Sequence, residues 1–120
     1  MSAGFRYRED NRLWAEEVPL DTLAQRFGTP CYVYARSAIE DRWHRYQQAL
    51  GSRGRICYAV KANGNLALLG LLARQGAGFD IVSGGELARV LRAGGDAAGV
   101  VFSGVGKASA EIRQALAAGI

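Results

Sequence analysis

The fold of this chain is constrained most by a unit of one short apolar run and one helical stretch, which occurs three times after residue 55. The apolar runs show little alternation of hydrophobic and polar residues, which is typical of strands in a parallel sheet that is covered on both faces. Strands that alternate with helices at this spacing predict βα units. The predicted strands are Ile56–Val60, Phe79–Val82 and Val100–Phe102, and the predicted helices are Leu66–Gln75, Gly85–Ala93 and Ala110–Ala118.

A glycine follows each of these helices, at Gly76, Gly94 and Gly119. Glycine is favoured there because the residue after a helix often has a left-handed backbone. Three βα units can begin either a doubly wound sheet or a (β/α)8 barrel, and the pattern alone does not decide between them. A barrel needs roughly 250 residues. We therefore expect this chain of 120 residues to be part of a longer protein, truncated after about three βα units and with one bare sheet edge.

Shorter elements are predicted upstream of the βα units. Asp21–Phe27 is predicted to be a short helix, with Asp21 as its N-cap and Gly28 just past its end. Cys31–Tyr34 is β-branched and aromatic, which predicts a strand. Ser37 and Glu40 form a capping-box pattern, which predicts a helix over residues 38–49.

The chain is accordingly predicted to have two parts. Residues 1–35 form an amino-terminal segment, in which residues 5–14 are irregular or short-stranded. Residues 36–120 form an α/β domain that contains the repeated units.

The composition excludes several classes of protein. Hydrophobic residues make up 49% of the chain and charged residues 22%, which is typical of a folded globular protein and not of a disordered one. The net charge of +4 comes from scattered arginines without interleaved aromatic residues, so we expect no nucleic-acid partner. No apolar run reaches membrane-spanning length, and the first residues lack the apolar core of a signal peptide. We therefore expect a cytoplasmic protein with no membrane partner.

The two cysteines give no sign of a metal or redox site. Cys31 and Cys57 do not form a CxxC pair, which argues against zinc binding and against a redox motif. Both lie in apolar runs, so buried, reduced thiols are predicted. No metal site is predicted.

Lysine is scarce, and only Lys61 and Lys107 occur. Lys61 directly follows the most apolar predicted strand, and catalytic groups of βα folds lie at the carboxyl ends of strands. A lysine at that position is expected to be partly removed from water, which favours the neutral amine that attacks an aldehyde carbonyl. The alternative is a lysine whose side chain extends from the strand end into solvent.

Four segments resemble one family, the fold-type III decarboxylases that depend on pyridoxal 5′-phosphate (PLP). Tyr58–Asn63 resembles the motif that contains the cofactor lysine, and Gly78–Leu87 resembles the second motif of the family. Val101–Lys107 is similar to the third strand and its loop. Upstream, Phe27–Pro30 with the following Tyr32–Tyr34 is similar to the diaminopimelate decarboxylases, the branch of the family that the chain resembles most.

The resemblance implies a fold and an activity. The fold is the amino-terminal portion of a PLP-binding (β/α)8 TIM barrel of the alanine racemase-like type, which a β-domain follows in the family. The activity is that of a PLP-dependent carboxy-lyase, which converts meso-diaminopimelate to L-lysine in the last step of lysine biosynthesis. The partners implied are a small amino-acid substrate and a second copy of the chain in a homodimer. The alternatives are a related decarboxylase of another diamino acid or polyamine precursor, a non-catalytic PLP-binding homologue, and a structural module unrelated to PLP.

The resemblance also implies roles for individual residues. Lys61 is implied to form the imine with PLP, and Asp80 matches an acid near the cofactor, although it also fits a residue that caps the following turn. Glu86 fits a capping box with Ser83 better than a contact with the site. His44 is predicted to be a surface or packing residue. The family's ring-stacking histidine, phosphate-binding loop and partner-subunit cysteine match no segment of this chain, so we expect the chain alone to be inactive.

Overall fold

The structure, a computed structural model, describes residues 4–120. The described chain divides into two compact units, of which one ends at Gly51 and the other runs from Ser52 to Ile120. This division shows which residues pack together and does not test the predicted domain boundary after residue 35, which stays a prediction. No helix formed by residues 4–120 is long and apolar enough to cross a membrane.

The first unit contains a small antiparallel sheet followed by two helices. Its three strands pair in chain order, with Phe5 opposite Ala15 and Trp14 opposite Pro19. These strands confirm the prediction of short-stranded structure near the amino terminus. The elements are β1 (Phe5–Tyr7), β2 (Leu13–Ala15), β3 (Val18–Pro19), α1 (Leu20–Phe27) and α2 (Arg36–Leu50).

The predicted strand at Cys31–Tyr34 is wrong, because these residues pair with no strand of the described chain. Their β propensity is local, whereas a strand forms only where a neighbouring backbone supplies hydrogen bonds. The predicted burial of Cys31 is wrong as well, since the residue is exposed. Tyr32 is 92% exposed.

The predicted capping box at the start of α2 is also wrong. The helix begins at Arg36, and Ala35, the residue before it, makes no side-chain cap. Ser37 therefore lies inside the first turn, where its backbone N–H donates to Glu16 Oε1 at 2.6 Å. Glu40 instead accepts a hydrogen bond from Arg36 Nε at 2.8 Å. An i,i+4 ion pair therefore replaces the capping box that the spacing predicted.

The second unit is a parallel three-stranded sheet with a helix after each strand. The strands pair in the order β4-β5-β6, so β5 lies in the middle. All six predicted elements are confirmed, and none of their ends differs from the prediction by more than one residue. The elements are β4 (Cys57–Ala59), α3 (Leu66–Arg74), β5 (Gly78–Ile81), α4 (Gly84–Arg92), β6 (Val100–Phe102) and α5 (Ser109–Ala118).

The two faces of this sheet differ in their burial. Phe79 and Ile81 of the central strand are 0% exposed, as is Leu87 of α4, which packs on that strand. Side chains alternate between faces along a strand, so Asp80 points to the other face, where its neighbour Val101 is 53% exposed. One face of the sheet thus forms the core with the helices, and the other face is open in this chain. The prediction of burial on both faces is therefore wrong for the residues that the structure describes.

The start of α4 confirms the predicted capping interaction. The helix begins at Gly84, and the Ser83 hydroxyl accepts a hydrogen bond from the Glu86 backbone N–H at 3.2 Å. The Glu86 carboxylate in turn accepts one from the Val82 backbone N–H at 2.8 Å. These bonds satisfy backbone donors that a helix start leaves free. They also hold the turn that follows β5.

Glu111 joins the starts of two neighbouring helices. Its carboxylate accepts hydrogen bonds from the backbone N–H of Ala108, just before α5, at 2.9 Å and from that of Gly84 in α4 at 2.8 Å. The bond from Gly84, and then the bond from Ala108, lower the pKa of Glu111 below its ordinary value of 4.5. The helices are therefore linked by an interaction that requires the ionised carboxylate.

We expect the link through Glu111 to make stability depend on pH. Because the folded-state pKa is lowered, the stabilisation is present above the ordinary value of 4.5 and is lost as the pH falls through the lowered value. Glu111→Gln should therefore lower the melting temperature near neutral pH, and its difference from the unmodified protein should shrink below about pH 4.5. Thermal unfolding followed by circular dichroism at several pH values measures this difference.

Glu9→Gln, at an exposed glutamate, is the control and should leave the melting temperature unchanged throughout. A Glu111→Gln difference that is as large in acid as at neutral pH would contradict the role of the carboxylate.

Candidate functional site

The predicted site residues lie at one edge of the parallel sheet. The carboxyl ends of parallel strands meet at the same edge, and the register places Asp80 beside Ala59 on one side and Val101 on the other. Lys61 comes two residues after Ala59, the last residue of β4, on a short 3₁₀ turn. Ser103 directly follows β6. The fold thus brings Lys61, Asp80 and Ser103 to this edge from three different strands.

Lys61 is exposed in this chain, so the expected partial removal from water is wrong for the residues described. Lys61 lies on the 3₁₀ turn beyond Ala59, the last residue of β4 that pairs with β5. The residues that the structure describes give the Lys61 amine no hydrogen-bond or ion-pair partner. Its nitrogen is therefore available to a ligand at the sheet edge.

The loop after Lys61 is held by side chains within its own segment. The Tyr58 hydroxyl of β4 donates to the Asn63 carbonyl at 3.2 Å. Asn63 Oδ1 accepts from the Asn65 backbone N–H at 3.0 Å, and Asn65 Oδ1 accepts from the Ala67 N–H at 2.9 Å. Asn63 is thus a residue that begins the turn toward α3.

Asp80 is bonded across to the neighbouring strand end. The Ser103 hydroxyl donates a hydrogen bond to Asp80 Oδ1. The Ser103 backbone N–H donates to the Ile81 carbonyl at 2.8 Å, which continues the pairing of β5 with β6. Both side chains are half-buried. The carboxylate of Asp80 is therefore fixed in orientation on the open face, at the edge where Lys61 lies.

The ammonium of Lys107, the other lysine, is hydrogen-bonded to its own loop. Its ammonium donates to the Ser103 carbonyl at 3.2 Å and to the Gly104 carbonyl at 2.6 Å, and it lies 5.4 Å from the centre of the Phe102 ring. The side chain folds back over its own loop and is half-buried, so Lys107 is not a freely solvated loop residue. The two lysines thus differ, because the amine of Lys107 is hydrogen-bonded whereas that of Lys61 has no partner among the described residues.

Two further features concern the histidine and metal binding. His44 is exposed on α2, which confirms its prediction as a surface residue. Within residues 4–120, no group of three or more His, Cys, Asp or Glu side chains is placed to hold a metal ion.

Sequence reasoning missed two interactions at the site. These are the hydrogen bond between Ser103 and Asp80, and the folding of Lys107 onto its loop. The only signal for the first was that both residues fall at the ends of consecutive predicted strands. For the folding of Lys107 onto its loop, the sequence contains no signal other than a lysine after a glycine-rich turn.

A family match that covers all of the second unit and part of the first identifies the class of protein. Residues 36–120 match the family described as "Pyridoxal-dependent decarboxylase, pyridoxal binding domain". The chain therefore belongs to this family, whose cofactor is PLP. Its three βα units are part of the PLP-binding TIM barrel that the structural relatives share.

Similar individual proteins come from several bacteria and from M. jannaschii. The chain is 59% identical over 113 residues to the diaminopimelate decarboxylase of Vibrio cholerae and 58% identical over 117 residues to that of Pseudomonas aeruginosa, with 93% and 97% of the chain covered. The structure of the M. jannaschii diaminopimelate decarboxylase with L-lysine superposes with a TM-score of 0.90 at 33% identity and covers 99% of the chain. The chain spans 27% and 28% of the two curated relatives and 29% of the M. jannaschii chain.

We expect the hydrogen bond between Ser103 and Asp80 to appear as coupling in a double-mutant cycle. Ser103→Ala and Asp80→Ala should each lower the free energy of unfolding. The double variant should lose less than the sum of both, by about 0.5–1.5 kcal/mol. Urea unfolding of the four proteins measures this coupling.

Ser109→Ala combined with Asp80→Ala is the matched control, because Ser109 lies at the start of α5. That pair should be additive to within about 0.5 kcal/mol. Additivity for Ser103 and Asp80 as well would show that their hydrogen bond does not form.

Proposed function

We propose that the chain provides the cofactor lysine of a PLP-dependent decarboxylase, which releases carbon dioxide from meso-diaminopimelate and forms L-lysine. The observation that supports this most strongly is the position of Lys61 in a chain of the pyridoxal-binding family. Its amine lies exposed at the carboxyl end of a parallel sheet, and no partner for it occurs among residues 4–120. Lys107, by contrast, already donates to two backbone carbonyls.

The residues present fit PLP. Its aldehyde needs an amine that a ligand can reach, and the exposed Lys61 offers one at the carboxyl edge of the sheet. The Asp80 carboxylate, oriented by Ser103, adds negative charge at the same edge. When bound, PLP supplies an electron sink for the electron pair that carbon dioxide leaves behind.

The residues at the sheet edge then have separate roles. Lys61 attaches the cofactor and afterwards holds or returns a proton through its Nζ atom. Asp80 attracts protonated nitrogen at the sheet edge, and Ser103 keeps that carboxylate from rotating. The Asn63–Asn65 turn directs the chain away from the site into α3.

The sequence identities to known decarboxylases favour meso-diaminopimelate as the substrate. The curated diaminopimelate decarboxylases reach 59% identity, whereas the lysine/ornithine decarboxylase of Vibrio vulnificus is 27% identical with a TM-score of 0.76. Structures of diaminopimelate decarboxylases from M. jannaschii and Helicobacter pylori contain L-lysine, the proposed product. The proposal includes a homodimer in the cytoplasm, which the resemblance to diaminopimelate decarboxylases supports.

We expect the full-length protein encoded by the reading frame of this sequence to release carbon dioxide from meso-diaminopimelate when PLP is present. Lys61→Ala should lower the rate by about a hundredfold or more, because the amine that attaches the cofactor and moves a proton is lost. Capture of labelled carbon dioxide measures the rate. L-ornithine and L-lysine, offered at the same concentration, should react much more slowly.

Lys107→Arg is the control that retains a positive charge and the donors to the loop carbonyls, and it should keep most of the activity. Faster release from L-ornithine would favour a decarboxylase of another diamino acid. Normal PLP binding with no turnover of any of the three would favour a non-catalytic homologue.

A further inference from the structure

The loop that follows Lys61 is also contacted from outside its own segment. Arg89 of α4 donates from Nη1 to the backbone carbonyl of Gly64 at 3.2 Å. Its aliphatic stem passes close by, since a Cβ on Gly64 would lie 3.6 Å from Arg89 Cδ. A helix 25 residues further along the chain thus holds the backbone three residues after Lys61.

The helix that carries Arg89 is a rigid support. Leu87 and Val90, on either side of Arg89, are both 0% exposed, so α4 is anchored in the core. The start of the helix is fixed by Ser83 and Glu86. A planar guanidinium on such a helix can hold a carbonyl at a defined place.

The loop carbonyls are consequently held from two elements. Tyr58 of β4 donates to the Asn63 carbonyl at 3.2 Å, and Arg89 of α4 donates to the next one, at Gly64. A reactive side chain needs a supporting backbone that is fixed to a fraction of an ångström. The two bonds together hold neighbouring carbonyls of the loop after Lys61.

We propose that Arg89 is a positioning residue, which fixes the Lys61 loop from α4 through the Gly64 carbonyl and thereby sets the affinity and orientation of the cofactor. The inference rests on the proposed role of Lys61 in PLP attachment. Arg89 itself touches neither the cofactor nor the reacting atoms in this assignment.

Arg92 offers a matched comparison. It is exposed and lies one turn later on the same helix, and it makes no hydrogen bond or ion pair with the part of the chain that the structure describes. Arg89→Met and Arg92→Met therefore remove the same charge from the same helix. Only the first removes the donor to the loop.

The test titrates the full-length protein with PLP and follows the visible absorption band and its circular dichroism. Arg89→Met should raise the PLP concentration at half-saturation by about three- to tenfold, as expected for the loss of one hydrogen bond. It should also change the visible circular dichroism at saturation, because this signal reports cofactor orientation. Arg89→Lys should restore much of both, and Arg92→Met should match the unmodified protein.

The melting temperatures of the variants without PLP separate positioning from general stability. If Arg89→Met matches Arg92→Met in half-saturation and circular dichroism, the inference about Arg89 is overturned while the role of Lys61 stands. The positioning role is also overturned by a second result. In that result Arg89→Met binds PLP weakly, Arg89→Lys restores neither the half-saturation nor the circular dichroism, and both variants have the same lowered melting temperature. If the unmodified protein gives no visible band with PLP, the proposed function fails first.

Discussion

The parallel register of the three strands β4, β5 and β6 is the constraint on which the rest of the structure depends. Asp80 stands level with Ala59 and Val101 in this register, so the chain segments that leave the strands emerge at one edge. Lys61 and Ser103 reach Asp80's edge for this reason, although they are distant in sequence. A slip of one residue in β5 would turn Asp80 to the helix side and bring Phe79 or Ile81 to the open face. Burial of those two side chains therefore fixes where the polar groups stand.

The alternation of side chains along β5 also separates the residues that stabilise the fold from those of the candidate site. The helix side of the sheet holds the fully buried side chains, and the open side holds Asp80. The helices then stabilise the loops at the site edge through single polar contacts. Glu111 bonds the start of α4, and Arg89 bonds the loop after Lys61. Arg89 thereby connects a rigid helix to the loop after Lys61, whereas Glu111 connects the starts of two helices.

Local signals explain what could be predicted from the sequence. Apolar runs bounded by glycines and caps predicted the six elements of the second unit, because their strands and helices are defined by neighbouring residues. Cys31–Tyr34 has equally strong strand propensity but finds no partner backbone among the described residues, so the propensity misled. The bonds from Ser103 to Asp80 and from Arg89 to Gly64 join residues 23 and 25 positions apart. Such bonds depend on register and helix placement, which no short pattern specifies.

Attachment of the cofactor to Lys61 can be measured by reductive trapping. The full-length protein is saturated with PLP, reduced with borohydride, digested and sequenced by mass spectrometry. The account predicts one phosphopyridoxyl group, on the peptide that contains Lys61. Attachment to Lys107 or to any other residue, or bound cofactor without any covalent adduct, would contradict it.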